Sequence, residues 1–66
     1  MNNTINKYNE LTKLHGGEGR TIALKLKDLP KEDLFYGMEK AFETKDVSMK
    51  NCFIMALAFK KNNITS

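Results

Sequence analysis

The chain is poor in the groups that usually hold very small domains together. It has one cysteine, Cys52, and one histidine, His15. A lone thiol excludes an intrachain disulfide framework, and one Cys with one His cannot build a zinc cage. No apolar run approaches the roughly 20 residues that cross a bilayer, and the N-terminus is asparagine-rich, without the apolar stretch of a secretory leader. These absences predict a cytoplasmic chain with no membrane contact, its cysteine free in a reducing compartment.

Catalytic raw material is also missing. The 8 acids, one Cys and one His form no paired-carboxylate, triad or metal-ligand pattern. Gly16, Gly17 and Gly19 before Arg20 and Thr21 invite a phosphate-loop reading. It fails, because the Walker spacing requires glycine where Leu14 stands and lysine where Arg20 stands. No catalytic residue, metal ligand or cofactor is expected, and the reading is of a protein that is not an enzyme. His15 reads as a surface side chain and Cys52 as packing.

What is present is an apolar run at 52–59: Cys52, Phe53, Ile54, Met55, Ala56, Leu57, Ala58 and Phe59. Met, Ala and Leu favour helix, and this helix would be apolar all round where a surface helix shows one stripe. It must be covered on every side. A chain of 66 residues buries only about 60% of its unfolded surface and offers few covering elements. A second copy is therefore expected to cover part of it.

The net charge of +3 is modest but uneven. Arg20, Lys25 and Lys27 follow one another with no acid between them, and Lys50, Lys60 and Lys61 close the chain with none. Such clusters suit an anionic partner, although solvated faces would look the same.

Along the chain, Ile5, Tyr8, Leu11 and Leu14 recur at intervals of three, which suits a weak helix stopped by Gly16, or a frayed arm. Residues 21–27 then alternate. Ile22, Leu24 and Leu26 fall on one side, Thr21, Ala23, Lys25 and Lys27 on the other. Period two predicts a strand, with a helix over 21–29 as its competitor. Pro30, Glu32 and Asp33 mark a helix start, and Leu34, Phe35, Met38, Ala41 and Phe42 form one broad stripe behind it. All four phenylalanines, Phe35, Phe42, Phe53 and Phe59, read as core. Gly37 interrupts the stripe, either where a neighbouring helix comes close or by simple tolerance. Ser48 reads as the N-cap of a last helix at 49–61, and 62–66 as a frayed tail. A lone strand has no partner in its own chain, so two copies pairing antiparallel would satisfy both the strand and the last helix.

Strand, helix, helix over 20–61 resembles the ribbon-helix-helix repressors of the Arc, CopG and MetJ type. The resemblance rests on the alternating Ile22 to Leu26, on Leu29, Pro30, Glu32 and Leu34 at the first helix, and on Ser48 before the Ala56-Leu57 pair and Phe59-Lys60-Lys61. It implies an α+β intertwined homodimer, with residues 1–19 as an extension, that binds double-stranded DNA and regulates transcription. In that family a two-stranded ribbon enters the major groove. By position, Thr21, Ala23, Lys25 and Lys27 would meet bases, and Arg20, Ser48, Met49 and Lys50 would meet phosphate. Ile22, Leu24, Leu26, Phe53, Ala56 and Leu57 would form the dimer core. The alternative is a small helical phage- or plasmid-type protein that binds and inhibits or adapts a host protein through its apolar faces. That alternative requires a helix at 21–29. Residues 1–19 would be a further place for a protein partner.

Overall fold

A computed structural model of the chain describes residues 3–62. Four helices succeed one another: α1 (Thr4–His15), α2 (Gly19–Leu26), α3 (Lys31–Thr44) and α4 (Val47–Lys61). There is no strand among the described residues. The α+β ribbon-helix-helix expectation is therefore overturned, and the fold is all-helical.

The correction turns on α2. Counting Ala23 with the polar side made 21–27 look like period two. Counted as apolar, it joins Ile22 and Leu26 at i, i+1 and i+4, one face of a helix, and these three are the buried residues of α2. Ala, Leu and Lys also favour helix. A strand here would have left its backbone groups without a ladder, whereas the helix satisfies them internally. Leu24 lies half-buried beside this face, and Lys25 is exposed.

In α1 the three-residue spacing was the clue to its limits. Each step of three falls about 60° short of a full turn. The stripe therefore rotates away: Tyr8 and Leu11 are buried, while Leu14 points to solvent. Gly16, at φ 61, ends the helix, and its N–H donates to the Thr12 carbonyl at 2.8 Å. Pro30 stands at the cap of α3 with Glu32 and Asp33 in the first turn, where negative charge suits the dipole.

The α3–α4 turn is very tight. Lys45 takes the left-handed conformation at φ 58, and the Asp46 N–H reaches back to the Ala41 carbonyl at 2.9 Å, as in a Schellman ending. The Asp46 carboxylate then caps α4, accepting from the Met49 N–H at 3.0 Å. The cap is thus Asp46 and not Ser48, which lies exposed in the first turn. The expected frayed tail lies outside the described residues, apart from Asn62, whose N–H closes α4 on the Ala58 carbonyl.

α4 packs chiefly on α3 and α2, and α1 lies against α2 and α3. Phe53 sits at the centre, fully buried with Leu26 and Leu34, its ring 5.8 Å from that of Tyr8. A Cβ at Gly37 would overlap the Phe53 ring. Close approach of α4 explains that glycine. Cys52, Phe53, Ala56 and Phe59 are buried and Met55 and Leu57 half-buried within the single chain. The other three helices therefore supply most of the cover that the sequence assigned to a second copy.

Candidate docking face

The residues expected to read DNA are dispersed by the helical fold. Ala23 is fully buried in the core, Thr21 donates to the Glu18 carboxylate at 3.3 Å, and Lys27 is half-buried beside Asp28. Only Lys25 of the four is exposed. Arg20 lies over the Phe59 ring, 5.4 Å from its centroid. At the start of α4 the Met49 N–H is already taken by Asp46, and Met49 is buried. The Lys50 N–H donates to the Asp46 carbonyl at 2.9 Å, so two of the backbone donors expected to meet phosphate, those of Met49 and Lys50, are engaged within the chain. Ile22, Leu26, Phe53 and Ala56, expected in a dimer core, are buried in one chain's own core, with Leu24 and Leu57 at its edge.

Another surface comes together instead. At 100° per residue, Phe35, Met38 and Phe42 fall within about 60° of one another on α3. Val47, Lys50, Ile54, Leu57 and Lys61 share an arc of about 80° on α4. The tight turn runs the two helices back along each other, so the two arcs meet along one seam. Phe35 is 48% exposed, Phe42 58%, Val47 62% and Ile54 43%. At one end Phe35 and Leu57 line a groove of about 570 Å³ edged by Lys31, Lys60 and Lys61. At the other, Phe42, Val47 and Lys50 line a smaller hollow of about 170 Å³, with Lys45 and Asp46. The Lys50 ammonium lies 5.8 Å from the Phe42 ring centroid.

Phe35 and Phe42 correct the expectation that all four phenylalanines are core; only Phe53 and Phe59 are buried. The signal was in Gly37. A glycine within an apolar stripe marks where a neighbour comes closest, which centres the buried arc on Leu34, Gly37 and Ala41. Phe35 and Phe42 then fall on its outer edge.

Elsewhere the chemistry is quiet. A cavity of about 320 Å³ between α1, α2 and α4 is lined by Tyr8, Thr12 and Cys52 among others and has no charged lining residue. Burial, aided by Asp46, raises the Cys52 thiol above its ordinary range, which favours its protonated form. Burial likewise raises Tyr8. Among the described residues no three His, Cys, Asp or Glu side chains gather to hold a metal, and no helix is long and apolar enough to cross a membrane. Comparison with models of known families, with curated proteins and with solved structures returned no match.

Proposed function

We propose that this chain is a non-catalytic, cytoplasmic binding protein that docks another protein on the α3–α4 face, in the manner of the small phage- or plasmid-type proteins that inhibit or adapt a host factor. One observation carries the reading: four large apolar side chains, Phe35, Phe42, Val47 and Ile54, stand exposed along one seam of so small a fold. Scattered apolar residues on a surface need no explanation, but a contiguous apolar strip rimmed by charge marks an interaction site. The DNA-binding reading has lost the ribbon that would present side chains to bases, and docking takes its place.

The test separates the face from the fold. Phe42→Ser with Ile54→Ser removes apolar contact from exposed positions, so helicity and unfolding midpoint should stay near those of the parent. Any protein captured by the parent is purified and titrated against both forms. The expected result is at least a tenfold loss of affinity for the double variant. Parent-level affinity in a folded double variant would refute docking on this face. A mixed-sequence DNA duplex titrated alongside should bind weakly and in a salt-dependent way, as with any basic protein.

A further inference from the structure

We propose that the occupant of this face is an acidic amphipathic helix of the partner protein, laid along the α3–α4 seam; the proposal rests on the docking reading above. Its apolar stripe sits on Phe35, Phe42 and Ile54, and its carboxylates face the lysines of the rim.

Three observations lead there. First, the two hollows are edged mainly by cations. The Phe35–Leu57 groove is edged by Lys31, Lys60 and Lys61 and has no acid in its lining. At the Phe42 end the hollow has Lys45 and Lys50, and its single acid, Asp46, is already engaged as the cap of α4. Second, the surface is concave, and its lysine clusters mark its two ends. From Lys31 to Lys45 the rise along α3 is about 21 Å. A partner helix of four turns has that length, and laying an apolar stripe into a groove is a common mode of helix recognition. Third, the main alternatives fit less well. A second copy turned end for end on the same face would set the α4 lysines of one chain on those of the other, a like-charge contact that disfavours association; a copy laid parallel would meet opposite charge and is the alternative that sedimentation tests. A flat anionic membrane would leave the groove unfilled. An extended peptide would find no sheet edge among the described residues.

The charges also set an orientation. The flank of α3 away from the seam carries Glu32, Glu39 and Glu43, the last accepting from Lys40 at 3.3 Å. The carboxylates of the bound helix therefore belong on the α4 side.

The probe is a labelled helical peptide of eighteen residues, with leucine at i, i+3, i+4 and i+7 spacing and glutamate elsewhere. Two counterparts carry lysine or glutamine in place of glutamate. Fluorescence anisotropy against the whole chain should show the glutamate peptide binding at least tenfold tighter than the lysine peptide. Its affinity should fall with salt, and fall about tenfold in Lys31→Glu with Lys61→Glu, whose folding is checked by circular dichroism.

Equal binding of all three peptides, lost in the folded Phe42→Ser and Ile54→Ser variant, would overturn the acidic partner and leave the docking face standing. A dimer in sedimentation that this variant dissolves would overturn it in favour of a second copy. Preferential uptake by vesicles containing phosphatidylglycerol would overturn it in favour of a membrane surface. A monomer that binds no peptide and no vesicle would overturn both the acidic helix and the face.

Discussion

At the scale of single residues, Gly37 and Phe53 control the fit of α3 on α4. In an exposed helix, Gly→Ala gains up to about 1 kcal/mol from propensity. Here the added methyl would enter the space of a fully buried ring, and overpacking costs about 1–3 kcal/mol. Packing should win, so Gly37→Ala is expected to lower stability by about 1–2 kcal/mol, read from the urea midpoint. A stabilised variant would show that Phe53 can shift aside. The same pair shows what the sequence made legible. Phe53 lies within the apolar run and is buried as expected. The exposure of Phe35 and Phe42 was not legible from their own spacing, because a broad apolar stripe does not say which edge faces the core. That depends on where the neighbouring helix lands, which Gly37 alone encoded.

At the scale of elements, α3 and α4 follow from sequence rules: Pro30 with acids behind it, a period near 3.6, and a run of strong helix formers. The boundary between them is less transparent, because Asp46 and Ser48 are both good caps two residues apart. The structure gives the role to Asp46, so Asp46→Ala should cost about 1 kcal/mol. Ser48→Ala should stay within about 0.5 kcal/mol of the parent, as exposed substitutions usually do. Thermal melts of the two variants check the assignment, and the opposite order would restore Ser48 as the cap. α2 is the element whose spacing misleads. It has eight residues, and over so short a span alternation and helical spacing differ by the placing of one small residue. Ala23 decided it, and an alanine fits either pattern.

At the scale of the whole molecule, stability rests on one shared core, with no disulfide among the described residues and Cys52 free. Two ionisable groups are part of that core, and both are raised by burial. A group raised in the folded state holds its proton longer than in the unfolded chain. Its contribution is full below the unfolded value and lost as pH rises through the folded one. Stability should therefore be level near pH 7 and fall above about pH 8.5, first through the thiol and then through the phenol. Urea midpoints at neutral and alkaline pH measure the fall, and Cys52→Ala should make it shallower. An unchanged slope in that variant would show that the thiol has no part in it. The need to cover α4 was also legible at this scale, and the source of the cover was not. The expectation of a dimer followed from two needs, cover for an all-apolar last helix in a short chain and a pairing partner for a lone strand. Once 19–26 is a helix, a single chain has four elements, enough to enclose most of α4.

The division between Phe53 and Phe59 inside and Phe35 and Phe42 outside puts two different pressures on one residue type. A library of this chain screened only for resistance to protease would retain the inner pair and let the outer pair drift to lysine, glutamate or serine. Retention of the outer aromatics is then a signature of binding and not of folding, and comparing a stability-only screen with a screen inside a host cell would separate the two pressures position by position.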